Sequence, residues 1–251
     1  MQLIELNHEL LEGTGSYCLR SRKNSPGYLA KNHWLHDRLG EGLKYVQLYA
    51  DKKQVGFIEY TDAEYSSRVV YADNYLVIHC LWVSETGKGY GTELIRKCIA
   101  DAAGQGKHGV AVVTNQDTAW APGKEIFMRN GFIPADSAPY GFELLVHKFS
   151  EGAPSPYFPS DWEARLARYD NLTVLRTFQC PYLDVATSNV IEGAARLGIK
   201  AEIRELASRE ELMALSPTPY GVFAVVYQGR LISYHRLTVN SVIKKLSPVR
   251  S

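Results

Sequence analysis

The stretch "VSETGKGYGTELIRKCI", Val83 to Ile99, carries glycines on alternate positions, Gly87, Gly89 and Gly91. An apolar run before them, "YLVIHCLWV" (Tyr75 to Val83), reads as a strand. After them Leu94, Ile95, Cys98, Ile99 and Ala102 recur on one side of a helix, which the glycines of "AGQGKHG" stop. A strand, closely spaced glycines and a helix, in that order, present bare backbone N–H groups at a helix N-terminus. Such a site holds phosphate through hydrogen bonds and the helix dipole. Two familiar phosphate loops do not fit. A Walker loop needs Ser or Thr directly after its Lys, and Lys88 is followed by Gly89. The dinucleotide pattern G-x-G-x-x-G opens a βαβ unit, whereas here the third glycine comes one residue early and follows strands that pair as hairpins.

Toward the N-terminus, "YLAKNHWLHDRL" (Tyr28 to Leu39) has helical spacing, and "YVQLYA" and "QVGFIEYT" alternate as a hairpin around "DKKQ". Toward the C-terminus, "VAVVT" is a buried strand, "GKEIFMRNGF" a helix closed by Gly131, and "GFELLVHKF" a strand. The sharpest break in composition is "SEGAPSPYFPSD", Ser150 to Asp161, whose prolines and small residues interrupt helix and strand alike. The expected division is a domain over 1–150, a linker over 151–161 and a domain over 162–251. In the last of these, Asp161 is expected to cap a short helix in "SDWEARLARY". "LTVLRTF" is a strand, "SNVIEGAARLG" a helix ended by Gly198, and "KAEIREL" a strand. "SREELMAL" opens on Ser208 with Glu211 as a capping box, and "YGVFAVVYQGRLISY" is a hairpin turning at Gln228 and Gly229. "TVNSVIKKL" is a helix with Val239, Val242, Ile243 and Leu246 facing inward, which makes the order βαβαββα.

The chain has 251 residues, 45% of them hydrophobic, enough for a sizeable core. Lys plus Arg number 28 against 27 Asp plus Glu, a formal charge of +1, so no basic field advertises a nucleic-acid partner. No apolar run approaches the ~20 residues that cross a bilayer, and no secretory signal opens the sequence. The expectation is a cytoplasmic protein with no membrane partner. Cys18, Cys80, Cys98 and Cys180 form no C-x-x-C pair and the histidines are scattered, so reduced thiols and no metal site are expected.

The glycine stretch resembles the GNAT acetyltransferases, whose pattern [QR]-x-x-G-x-[GA] joins the fourth strand to the third helix. "TGKGYG" matches through Gly89 and Gly91, with Thr86 where Gln or Arg is usual. "VAVVTN" and "GKEIFMRNGF" are similar to the family's next strand and helix, with Asn115, Phe127, Gly131 and Phe132 in the matching places, and the resemblance implies that Asn115 and Phe127 line the cofactor site. The resemblance implies an α/β (α+β) fold with a mixed, mostly antiparallel sheet whose fourth and fifth strands splay apart. The pantetheine arm of acetyl-CoA, or of another acyl-CoA, would enter that gap against the main chain of Leu81, Trp82 and Val83. Backbone amides from Gly87, Lys88, Gly89, Tyr90, Gly91 and Thr92 would hold the diphosphate. An ordinary tight turn is the alternative for the glycines.

Acyl transfer from a thioester to an amine needs a neutral amine, a donor for the oxyanion and a proton for the leaving thiolate. The Tyr that often supplies that proton in the family is Phe127 here, and a phenyl ring cannot donate. His79, where many relatives carry Glu, is the candidate base, the alternative being a core histidine bonded to a carbonyl. Glu59 and Tyr140 are the other candidates. Trp34, Trp82 and Trp120 read as packing, although Trp120 sits in a loop expected to border the acceptor.

In the second domain, "TFQCPYLDVATSNVI" puts Cys180 at the entry to a helix, and "SPTPYGVF" puts a Pro before the next hairpin. That pairing resembles the thioredoxin and glutaredoxin fold, which implies a facing and usually cis Thr-Pro bond at Pro219, Pro217 being the lesser choice. Leu183 stands where the second cysteine of that fold would be, leaving monothiol or structural use for Cys180. The two halves in this order resemble the YoaP type of GNAT protein. The expected function is transfer of an acyl group, most simply acetyl, from a CoA thioester to a small-molecule amine. One alternative donor is a pantetheine thioester on an acyl carrier protein in natural-product biosynthesis. Another class is a CoA-binding thiol redox or sensor protein using Cys180. A second copy of the chain stays open as a partner.

Overall fold

A computed structural model describes residues 1–117 and 123–247. The chain forms two compact units, one of Met1–Gly15 with His36–Pro159, the other of Ser16–Leu35 with Ser160–Ser251. The division therefore departs from a single cut in the proline-rich segment. Residues 16–35 leave the N-terminal half and fold with the C-terminal one.

The first unit contains β1 (Gln2–Glu5), α1 (His8–Thr14), the end of α2 (Pro26–Gly40), β2 (Lys44–Ala50), β3 (Lys53–Asp62) and β4 (Tyr75–Val83). It continues with α3 (Tyr90–Gly104), β5 (Gly109–Asn115), α4 (Lys124–Met128), β6 (Ile133–Ala138) and β7 (Phe142–Lys148). These strands form one sheet in the order β1-β2-β3-β4-β5-β7-β6. Only β4 and β5 run parallel; the other neighbours are antiparallel. The β2–β3 hairpin closes on Asp51 (φ 48°) and Lys52 (φ 63°), both left-handed as a tight hairpin turn requires. One sheet face presents Val46, Leu48, Ile58, Tyr60, Leu76 and Ile78 to Leu94, Ile95, Cys98 and Ala102 of α3, all buried. Each such side chain contributes about 1.5–3 kcal/mol on leaving water. That burial pins α3, and so its glycine-rich start, to the sheet. The same burial pushes the Cys98 thiol well above its ordinary pKa, with Asp101 adding to the rise and Lys97 opposing it.

β1, α1 and β6 carry no clear sequence pattern. β1 has four residues, exposed at both ends and half-buried between, and β6 is "IPADSA", a Pro-bearing edge strand with no alternation.

The second unit contains α5 (Trp162–Leu166), β8 (Leu172–Arg176), α6 (Leu183–Ala195), β9 (Ala201–Glu205), α7 (Arg209–Leu215), β10 (Phe223–Tyr227), β11 (Arg230–Ser233) and α8 (Val239–Leu246). After α5 the order is βαβαββα. The strands form a second sheet, β11-β10-β8-β9, in which β8 and β9 are parallel and the other pairs antiparallel. α6 and α8 approach closely because Gly193 has no side chain: a Cβ there would stand 2.7 Å from the Cβ of Val242. The first turn of α2 joins this unit the same way, since a Cβ on Gly27 would lie 2.1 Å from the carbonyl oxygen of Pro181.

Ser208 caps α7 as expected, its Oγ accepting the Glu211 N–H at 3.2 Å. The carboxylate of Glu211 accepts the N–H of Ala207 in return. Asp161 does not cap α5. Its side chain makes no cap hydrogen bond, because the carboxylate accepts from Arg165 Nε at 2.7 Å. The described residues contain no cis peptide bond, so Thr218–Pro219 is trans, against expectation. Among the described residues no helix is long and apolar enough to cross a membrane, and no group of three or more His, Cys, Asp or Glu is placed to hold a metal ion.

Candidate active site

The pairing of β4 with β5 stops partway. It runs from Tyr75↔Gly109 to Ile78↔Val112 and ends there, although β4 continues to Val83 and β5 to Asn115. β4 keeps β3 as a partner up to Val83↔Gly56, and β5 keeps β7 up to Asn115↔Phe142. Beyond Ile78 and Val112 the two strands therefore no longer pair with each other, and a gap opens between them. Leu81 is buried and Trp82 and Val83 half-buried along it. The Trp82 ring lies in a row with Phe57 (centroids 6.4 Å apart) and Tyr45 (a further 4.9 Å), which stiffens the β4 side.

At the end of β4 the chain turns through an exposed loop, residues 84–89. Gly87 (φ 78°) and Gly89 (φ 77°) are both left-handed, and Gly89 is the N-cap of α3 with no side-chain hydrogen bond closing that end. The first amides of a helix left open this way form an anion site. Gly91 has a different reason for lacking a side chain: a Cβ there would sit 2.4 Å from Ile126 Cδ1 of α4. Gly91→Ala is expected to destabilise the first unit by about 1–3 kcal/mol as overpacking. Ile126→Val, which removes that terminal methyl, should recover most of the loss in a thermal-melt double-mutant cycle.

Glu59 and His79 do come together, and they do so in the interior. His79 is the extra residue of a bulge, since pairing passes from Glu59↔Cys80 to Tyr60↔Ile78 and skips it. Glu59 Oε1 lies 3.3 Å from His79 Nδ1, with the two side chains 1% and 0% exposed. The other ring nitrogen accepts the Ser67 N–H at 2.9 Å and stands 3.0 Å from Ser66 Oγ. A nitrogen that accepts a backbone N–H cannot carry its own proton, so the neutral ring has its proton on Nδ1, facing the carboxylate. Arg68, 1% exposed, donates to the carbonyls of Ser67 and His79. The cluster thus combines one buried carboxylate, one buried guanidinium and a neutral imidazole. Sequence reasoning missed Ser66, Ser67 and Arg68. An Arg directly before "VV" in a non-repeating loop carries no periodic signal, and only the fold buries it.

Asn115 ends β5. Its Nδ2 donates to the Tyr140 carbonyl at 2.8 Å, and its Oδ1 accepts the Asp117 N–H at 2.8 Å. It thereby ties a short turn, Pro139–Gly141, to the open end of the gap. Tyr140 holds a left-handed φ of 66° there, with its side chain 45% exposed. Phe127 is fully buried, edge-on to Phe132 in the core. Trp120 lies outside the described residues. In the second unit, Cys180 is half-buried and lines a cavity of about 220 Å³ with Gly27, Ala30, Arg176, Phe178 and Leu183. The Tyr182 hydroxyl is pushed up by burial and by the neighbouring thiols of Cys18 and Cys180, against Arg236.

Residues 8–121 match the acetyltransferase (GNAT) family. The chain is 29% identical over 251 residues to the uncharacterized N-acetyltransferase YoaP of Bacillus subtilis (strain 168), covering 98% of this chain and 99% of that one. Among solved structures it is similar to the PaiA N-acetyltransferase of Thermoplasma acidophilum in complex with coenzyme A, at 17% identity, TM-score 0.43, covering 59% of this chain and 100% of that one. It is also similar to the N-acetyltransferase PseH of Campylobacter jejuni in complex with acetyl coenzyme A, at 16% identity, TM-score 0.42, covering 59% and 99%. Residues 8–121, the stretch similar to the acetyltransferase (GNAT) family, contain both the strands that part and the uncapped glycine turn.

Proposed function

We propose that the protein is an N-acetyltransferase of the GNAT type that takes acetyl-CoA as donor and a small-molecule amine as acceptor. The observation that carries this reading is the end of β4–β5 pairing at Ile78↔Val112 while both strands run on. The gap between the parted strands is open to an amide-bearing pantetheine arm, which would run along the main chain of Leu81, Trp82 and Val83 on one side. The exposed turn and the start of α3, from Gly87 to Thr92, offer amides to the diphosphate. Bound there, the donor supplies an acetyl thioester. The near-neutral balance of 28 basic and 27 acidic residues favours a small acceptor over a polyanion.

Glu59 and His79 have both functional edges turned inward, so we assign them a positioning role. They hold residues 66–68 against the bulge of β4, which sets the wall of the gap where the acetyl group would arrive. Tyr140, exposed on a turn held by Asn115, is the residue we assign to the acceptor side. Phe127 supplies no proton, so the thiolate leaves without help from that position. For the second unit we propose a thioredoxin-like fold, supported by its βαβαββα order and its sheet order, and a cytoplasmic location for the whole chain.

Isothermal titration with CoA and with acetyl-CoA tests the donor site, and saturable binding of both is expected. Absence of either would end the reading. Turnover with acetyl-CoA should exceed turnover with an acylated carrier protein; the reverse would transfer the same site to a carrier-bound donor.

A further inference from the structure

Among the described residues the second sheet ends in β9, "AEIRE", a strand with a neighbour on one side only. Its four last residues are exposed, Ile203 to 45%. The direction of its free hydrogen-bonding groups follows from one contact: the N–H of Leu206 donates to the Arg176 carbonyl of β8 at 2.8 Å. Groups alternate along a strand, and the partners Arg176↔Glu205 agree with that phase. Residues 202 and 204 therefore direct their main-chain groups toward β8. Ala201, Ile203 and Glu205 direct theirs outward.

Charges on an edge strand ordinarily block pairing with another edge. Here their order has the opposite effect for one partner. If a second β9 runs antiparallel with the two-fold axis at Ile203, residue 203 faces itself and the three outward residues of each strand meet in hydrogen-bonded pairs, 201 with 205 and 203 with 203. Glu202 then stands opposite Arg204 in both directions, at the closer, non-hydrogen-bonded spacing where opposite charges stabilise the pair. The Ile203 side chains meet on the other face. A parallel copy in register would instead set Glu202 against Glu202 and Arg204 against Arg204. Glu205, held by Arg176 Nη2 at 2.8 Å, faces only Ala201.

We propose that β9 is a self-association surface, through which two copies of this chain join their second sheets edge to edge, antiparallel about Ile203. The partner is another copy because the strand is complementary to itself. An isologous contact of this sort closes at the dimer. A strand of five residues gives an interface at the small end of the known range, so the dimer is reversible, with a dissociation constant on the order of 10 μM. The inference concerns the second unit alone and is independent of the donor site.

Sedimentation velocity on the full chain from about 1 to 300 μM should reveal this dimer. Arg204→Glu, which sets like charges opposite each other, should weaken it at least tenfold. The double swap Glu202→Arg with Arg204→Glu restores the opposition and should return the affinity to within about threefold of the parent. Ile203→Pro deletes an outward N–H that the fold itself does not use, so it should abolish the dimer while the far-UV spectrum and melting temperature hold. Three results would overturn the proposal: a monomer at every concentration, a dimer indifferent to Arg204→Glu, or a double swap that fails to restore what the single change removed.

Discussion

Replacing Glu59 with alanine is expected to lower the stability of the first unit by about 3–5 kcal/mol, among the largest effects available to a single change in this protein. The carboxylate is 1% exposed and faces His79, and the same cluster buries the guanidinium of Arg68. Removing the anion takes a buried negative charge out of a cluster that also buries a guanidinium, and leaves the His79 ring without the carboxylate that faces it. The melting transition of this unit should fall by roughly 6–20 °C. Glu59→Gln keeps an oxygen to face the ring and should lose much less, about 1–2 kcal/mol. Near-equal effects of the two changes would mean that the charge is irrelevant and packing alone matters.

The same pair separates a positioning role from a proton-transfer role. His79→Gln is expected to reduce kcat without altering the shape of the pH–rate profile, since a ring whose Nε2 already accepts the Ser67 N–H has no free lone pair for an acceptor amine. Were His79 the base, the limb of the profile that reports imidazole would vanish in the variant. That outcome would return the ring to the chemistry and require Ser66 and Ser67 to move aside.

The elements with strict periodicity were the legible ones. "YLVIHCLWV" corresponds residue for residue to β4, and the alternate glycines mark a left-handed turn at a helix start because few other residues accept φ near 77°. Two kinds of information were not in the local pattern. One is the partner of a buried polar side chain. Glu59 and His79 each stood out as polar residues in apolar strands, yet only the bulge, a skipped residue in the register, aims one at the other and both away from solvent. The other is chain crossing. Nothing in residues 16–35 announces that they fold with the C-terminal half, because the decisive feature is Gly27 allowing a helix backbone to close on Pro181 far along the sequence. The β4–β5 divergence lies between these cases. It was expected from resemblance, and no property of "VAVVTN" alone says that its last three residues stop pairing with β4.

Gly87→Val combined with Gly89→Val is expected to reduce acetyl-CoA affinity by ten- to a hundredfold while leaving the melting temperature within about 2 °C. Both positions hold a left-handed φ, which costs an L-residue roughly 1–2 kcal/mol and a β-branched one more. Neither has an atom within 4 Å of where a Cβ would be, so the effect cannot come from a clash. The loop is exposed, and the chain can relieve the strain by leaving the left-handed region, which turns the amides at the start of α3 away from a common point. An anion held by several N–H groups at once is sensitive to that loss of convergence, whereas the buried face of α3 is not. Asparagine tolerates the left-handed region, so the corresponding double Asn variant should bind within about threefold of the parent despite its larger side chains. Weak binding by the Asn variant together with the Val variant would point to simple obstruction of the loop. Full binding by the Val variant would remove the diphosphate from this turn altogether, and with it the assignment of the glycines to the donor.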